Sequence, residues 1–188
     1  MSYKKSAAQK FAKKCSVPII TQDDKCVTDF KYIVTANTVF KIFNNRHINV
    51  ALFDKNCNII HLLPLLIAKS RSVYVYTEKP QIYEAENDRI LSLLGAAAVI
   101  SDIPLPPKNT DAIISTEAYH SDGIAVFGEY GYFVSNAKPV FNNSGLLNLP
   151  EYADIYAVLT GLLNICKIKD ISNTYCNELY NRSIKNLP

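Results

Sequence analysis

The sequence predicts an α/β protein built on a doubly wound, three-layer parallel sheet, and three observations carry that reading. Short runs of β-branched, aromatic and aliphatic residues recur between 48 and 116, each closed by polar residues: Asn49-Val-Ala-Leu-Phe53 before Asp54, Ser72-Val-Tyr-Val-Tyr-Thr77, Ala96-Ala-Ala-Val-Ile100 before Ser101 and Asp102, and Asp111-Ala-Ile-Ile-Ser115. Runs of this length suit strands buried on both faces. Helix-length stretches separate the first three runs, and strand-helix alternation favours parallel pairing through right-handed crossovers. Finally, 188 residues with 48% hydrophobic and 20% charged content make an ordinary globular chain, able to bury one core with additions.

From the N-terminus, residues 2–15 are basic, with Lys4, Lys5, Lys10, Lys13 and Lys14 around Ala7, Ala8, Phe11 and Ala12. This pattern predicts a short amphipathic helix with solvated lysines. The absence of Arg, with only Tyr3 and Phe11 available for stacking, weighs against a nucleic-acid or membrane-surface partner. Val17-Pro-Ile-Ile20 reads as an edge strand, because Pro18 cannot donate to a ladder. Residues 27–45, rich in Phe30, Tyr32, Val34, Val39, Phe40 and Phe43, read as an extended piece followed by a helix from about Ala36. Together, residues 1–46 are expected to be an extension packed on the core.

Asn58 to Lys69 is almost wholly apolar and suits a helix covered on most sides, although Pro64 within a helix costs about 3 kcal/mol unless the helix starts late or kinks. A hairpin joining residues 50–54 to 59–63 through Lys55-Asn-Cys-Asn58 is the rival. The helix is preferred because the apolar residues do not alternate with polar ones. Pro80 to Leu94 is better specified. Pro80 suits an N-terminus, Glu84 and Glu86 suit the positive end of the dipole, Tyr83 and Ile90 lie on an apolar face, and Gly95 is a stop.

Asp102 and Asp111 are too close in sequence for a helical crossover, so the third and fourth strands are joined by an extended or single-turn link through Ile103-Pro-Leu-Pro-Pro107. The same shortness argues against a receiver domain, despite Asp54, Asp102 and Ser115 at successive strand ends. Gly123 to Phe127 reads as a fifth strand, and Tyr132-Phe-Val134 with Val140-Phe141 as a small hairpin. Asn142-Asn-Ser-Gly145 is turn chemistry. Pro150 is expected to open a helix with Glu151 and Asp154 at its start, and a final helix is expected from about Ser172 to Lys185. The organisation is therefore residues 1–46, a domain over 47–150, and C-terminal helices over 151–188.

With those residues in place, roughly 48 to 165 resembles a degenerate Rossmann nucleotide-binding domain, of the compact kind that closes shikimate dehydrogenase and glutamyl-tRNA reductase chains. Ser72-Val-Tyr-Val-Tyr-Thr77, Tyr83, Leu94-Gly-Ala96, Val99-Ile-Ser-Asp102 and Asp111-Ala-Ile-Ile114 are also similar to a group of uncharacterised bacterial proteins of that pattern. The likeness implies a Rossmann-like fold through element order; it carries no catalytic motif.

In such a sheet, ligands bind beyond the carboxyl ends of the strands, near the point where strand order reverses. The rule selects Asp54, Lys55 and Asn56 after the first strand and Thr77, Glu78 and Lys79 after the second. Ser101 and Asp102 follow the third, and Ser115, Thr116 and Glu117 the fourth. A dinucleotide calls for a glycine-rich turn after the first strand, so that its pyrophosphate can approach backbone N–H groups. Here the turn is Phe53-Asp-Lys-Asn-Cys-Asn58, without glycine and with a negative charge beside the phosphate position. Glu78 stands where an acid would bind the ribose. The balance favours a scaffold without a cofactor over an NAD(P)-dependent oxidoreductase with an atypical first loop.

His61 reads as a core histidine, whereas His120 beside Tyr119 and Ser121 is the better acid/base candidate, with a surface loop an equal explanation. Cys15, Cys26, Cys57, Cys166 and Cys176 lack C-x-x-C spacing and read as reduced thiols, with no metal site expected. The longest apolar stretch is too short to span a bilayer and no charged-then-apolar leader is seen, so the expectation is a cytoplasmic protein without a membrane partner. A small ligand, a protein partner or a second copy of the chain are the partners expected.

Overall fold

The computed structural model describes residues 25–134, 139–140, 154–165, 174–177 and 179–181. The chain divides into two units, residues 1–30 with 148–169 and residues 31–147 with 170–188. In order, its elements are α1 (Lys25–Ile42), β1 (Asn49–Phe53), a 3-10 turn (Ile60–Leu62) running into α2 (Leu63–Lys69), β2 (Ser72–Tyr76), α3 (Pro80–Leu94), β3 (Val99–Ser101), β4 (Ala112–Ser115), β5 (Val126–Phe127), β6 (Tyr132–Phe133), β7 (Pro139–Val140), α4 (Ile155–Ile165), β8 (Tyr175–Cys176) and β9 (Tyr180–Asn181).

The sheet of the larger unit runs β3-β2-β1-β4-β5-β6-β9. Its first six strands are parallel and β9 is antiparallel to β6. Strand order 3-2-1-4-5-6 is that of a doubly wound sheet, reversing between β1 and β4. The α/β, Rossmann-like architecture read from the sequence is therefore present. β1 lies between β2 and β4, with Leu52 level with Val75 on one side and Ile114 on the other. That parallel pairing excludes the hairpin between residues 50–54 and 59–63.

Period-two alternation sorts the strand residues. Val50, Leu52, Val73, Val75, Ala112 and Ile114 share a core with Tyr32, Val39, Phe40, Leu62, Leu63, Leu66, Tyr83 and Ile90 of the helices. Ala51, Phe53 and Ile113 face the other way, packed by Tyr74, Tyr76, Tyr119, Ile124 and Val126. Pro64 is harmless because α2 starts at Leu63, and a proline in the first turn lacks only an N–H with no intrahelical partner. Leu62, Leu63 and Leu66 are then fully buried, each worth about 1.5–3 kcal/mol in transfer free energy. At the other helix, Gly95 (φ 69) takes the left-handed terminating position after Leu94. Its first turn holds no acid: Glu84 lies past it, and Glu86 pairs with Arg89 of the next turn instead.

Several expectations are corrected. Residues 27–45 are not extended before Ala36; one helix, α1, begins at Lys25. Val27, Phe30, Val34, Val39 and Phe40 are buried along it, but so are Thr35, Asn37 and Thr38, so the polar stripe that marks a surface helix is missing. Two of those polar groups are met by the C-terminal segment. Asn37 Nδ2 donates to the Thr174 carbonyl at 2.9 Å, and Thr38 Oγ1 accepts the Cys176 N–H at 2.8 Å. The expected helix over 172–185 is replaced, in its described residues, by β8 and β9. The hairpin of Tyr132–Val134 with Val140–Phe141 does not form: β6 lies between β5 and β9, and β7 pairs with β8. The fifth strand is limited to Val126 and Phe127.

No helix occupies residues 102–111, as the short link between β3 and β4 requires. Beyond β5, the connection 128–131 returns the chain to a parallel neighbour, paired only at Phe127 and Tyr132. Glycine makes this path feasible. A Cβ on Gly128 (φ 140) would lie 2.0 Å from the Ser115 carbonyl oxygen, and one on Gly131 would lie 2.2 Å from that of Val126.

In the smaller unit, Asp154 Oδ1 accepts the N–H groups of Tyr156 and Ala157 and so caps α4. Phe30 meets Tyr156 edge-to-face at 5.9 Å. The N-terminal helix, the strand at 17–20, the Asn142–Gly145 turn and the helix start at Pro150 lie outside the described residues. Among those described, no helix is long and apolar enough to cross a membrane.

Candidate functional site

Reversal of strand order between β1 and β4 places the candidate site at their carboxyl ends, where Asp54 and Thr116 follow the last strand residues. Asp54 is fully buried. A buried carboxylate is costly unless its lone pairs are met, and here each oxygen receives two donors. Oδ1 accepts the Asn58 N–H at 2.8 Å and lies 3.4 Å from Thr116 Oγ1. Oδ2 accepts the Ile59 N–H at 2.8 Å and the Tyr83 hydroxyl at 2.7 Å. Backbone donors at the start of the helical stretch after β1 are what a phosphate uses in a nucleotide-binding sheet. Here the chain's own carboxylate holds them.

The turn after β1 is built for that carboxylate. Its main chain closes through the Cys57 N–H on the Asp54 carbonyl at 3.2 Å, and Cys57 adopts φ 60, the left-handed region that glycine favours. Cys57 Sγ points back to Thr77 Oγ1 at 3.4 Å. Thr77 is buried, donates its hydroxyl to the Lys55 carbonyl and its N–H to the Ser101 carbonyl, and accepts the Lys79 N–H. Thr77 thus ties the first three strand ends together, which is a structural task.

The other sequence-predicted positions divide. Glu78 is half-exposed and its carboxylate meets Lys55 Nζ at 2.7 Å, a contact that raises the lysine above its ordinary pKa. Ser101 Oγ accepts the Ile103 N–H, so it organises the turn into the proline-rich link, while Asp102 and Asn56 are exposed. Ser115 is buried and its hydroxyl is spent on Glu117, donating to the carbonyl and accepting the N–H. Asp54, Thr116, Thr77, Glu78 and Lys55 therefore come together around the β1 end, whereas Ser115 and Ser101 each serve a local turn.

His120 lies on an exposed loop, its imidazole 3.5 Å from Asp122. His61 is half-buried in the 3-10 turn. Cys26 and Cys57 are free thiols, and among the described residues no three of His, Cys, Asp and Glu cluster to hold a metal.

Several tyrosines contribute in ways a reading of motifs does not show. Tyr83, read only as part of an apolar face, carries the hydroxyl on Asp54; the available signal was that a buried tyrosine needs a hydrogen-bond partner. Burial first, and the Asp54 carboxylate second, push its pKa well above the tyrosine range. Tyr32 donates to the Ser115 carbonyl at 3.1 Å, and burial raises its pKa too. On the second sheet face, Tyr119 stacks on Phe53 at 4.3 Å between ring centres, with Tyr76 at 5.4 Å from the same ring. Tyr74 and Tyr119 fasten that face to the proline-rich link through the carbonyls of Ile103 and Pro104.

The fold and these strand ends define a Rossmann-like α/β domain whose first turn is closed on an internal carboxylate. Comparison with protein-family models, curated proteins and solved structures finds no match to the chain.

Proposed function

We propose that the chain is a non-catalytic binding module, a Rossmann-like scaffold that has given up dinucleotide binding and works through a small ligand or a protein partner at its strand ends. One observation carries this reading: the buried Asp54 carboxylate already engages the Asn58 and Ile59 N–H groups that a diphosphate would need. The hydroxyls at the same strand ends support it, since Thr77 and Ser115 are committed to the chain itself. A cytoplasmic setting belongs to this reading, in keeping with the free thiols of Cys26 and Cys57.

Strand order and the resemblance to the nucleotide domains of shikimate dehydrogenase and glutamyl-tRNA reductase favour the second reading, an NAD(P)-dependent oxidoreductase with an atypical first loop. Thermal shift with NAD(H), NADP(H) and a panel of nucleotides separates the two. The proposal expects no saturable rise in Tm with any dinucleotide; a saturable rise would return the oxidoreductase reading.

A further inference from the structure

Asp122 and Gly123 form the single Asp-Gly pair of the sequence, which contains no Asn-Gly pair. They lie in the connection between β4 and β5, residues 116–125. The Asp122 side chain is fully exposed. Gly123 has φ 84, and a Cβ built on it would meet nothing within 4 Å, so the approach to its nitrogen is open. Among the described residues its N–H donates to no acceptor.

Other aspartates are placed differently. Asp102 is exposed as well, but the Ile103 N–H that follows it is held by Ser101 Oγ at 3.1 Å, and the β-branched side chain crowds that nitrogen. The carboxylate of Asp111 accepts the Asn49 N–H at 2.8 Å, and Ala112 after it opens β4. Asp88 lies inside α3, where the next N–H belongs to the helix. Of these, Asp122 alone joins a solvated carboxyl to an unengaged and unhindered amide.

We propose that Asp122-Gly123 is a modification site, at which the native chain converts aspartate to isoaspartate through a cyclic imide. The Gly123 nitrogen attacks Cγ of the protonated Asp122 carboxyl. An N–Cγ bond forms, a Cγ–O bond breaks, and the amide proton and the hydroxyl leave together as water. The reacting groups are neighbours in one chain and close a five-membered ring, so no second molecule has to be ordered. His120, with Nε2 3.5 Å from Oδ1, is placed to relay that proton to the departing oxygen. Water then adds across one of the two imide C–N bonds. Cleavage at Cγ restores aspartate, whereas cleavage at the main-chain carbonyl carbon leaves isoaspartate, of equal mass but with one more methylene in the main chain. That methylene falls between Tyr119, stacked on Phe53, and Ile124, packed on the same sheet face, so the loop after β4 must change its path between two anchored residues. This inference is independent of what binds at the strand ends.

The test incubates the folded full chain at body temperature and neutral pH for several weeks. Peptide mapping with electron-transfer fragmentation, which separates the two forms at equal mass, then reads each aspartate. Isoaspartate is expected to accumulate at Asp122 and to stay at background at Asp102. Gly123→Ala is expected to slow accumulation roughly tenfold, or about 1.4 kcal/mol of barrier. Asp122→Glu keeps the charge but would need a six-membered ring, and is expected to abolish the reaction. Circular dichroism confirms that both variants fold. Isoaspartate at Asp122 that never exceeds the level at Asp102 would overturn the proposal, as would accumulation that Gly123→Ala leaves unchanged.

Discussion

The Tyr83 hydroxyl donates a 2.7 Å hydrogen bond to Oδ2 of Asp54, joining the middle of the apolar face of α3 to the turn that follows β1. Both groups are fully buried, so neither can exchange this partner for water. The link explains how a carboxylate is tolerated at the centre of a parallel sheet.

Removing that donor is expected to be costly. Tyr83→Phe should lower stability by about 2 kcal/mol, the range for a hydrogen bond to a charged acceptor, and Asp54→Ala by about 3–5 kcal/mol because it strands buried donors. Chemical denaturation measures both. The double substitution should fall short of additivity by at least about 1 kcal/mol, since the residues share one network.

Alkaline pH should destabilise the fold. Tyr83 and Tyr32 have folded pKa values raised above the ordinary 10.0. A raised folded value means that the contribution is fully present below the unfolded pKa near 10 and is lost as pH rises toward the folded one. Stability should therefore fall as pH climbs past about 10, and ultraviolet titration should find buried tyrosines that ionise only when the protein unfolds. Tyr83→Phe should flatten this alkaline limb.

Gly128→Ala and Gly131→Ala should each destabilise by about 3 kcal/mol or more, because the added Cβ meets backbone oxygen and not a movable side chain. Gly123→Ala, at φ 84 but with nothing within 4 Å, should cost only about 1 kcal/mol. Thermal unfolding of the three variants checks the ranking.

Thr38→Val removes the acceptor of the buried Cys176 N–H and should cost about 1–2 kcal/mol. Hydrogen exchange should show the Cys176 amide losing protection, while amides of β1 stay protected to within the global change in stability.

The parallel core was legible because β1 and β4 are buried on both faces, and such strands appear in sequence as unbroken apolar runs, while β2 alternates buried Val73 and Val75 with half-buried tyrosines. α3 was legible from Pro80 and Gly95. α1 was misread because the buried polar groups of Asn37 and Thr38 are met by Thr174 and Cys176, more than a hundred positions away, which no local pattern encodes. Each of β5 to β9 has two residues, too few to show a period. At the strand ends, position followed from topology, but Asp54 was legible only as a charge hostile to a diphosphate. That it holds the donors itself depends on Tyr83, whose partner appears only once α3 is packed on β1.

The most direct measurement follows the Asn58 and Ile59 amides by nitrogen-15 correlation spectra while NAD(H) and NADP(H) are titrated into the protein. If Asp54 holds those N–H groups, both signals stay in place to millimolar dinucleotide. Saturable movement of either amide with dinucleotide would contradict the account.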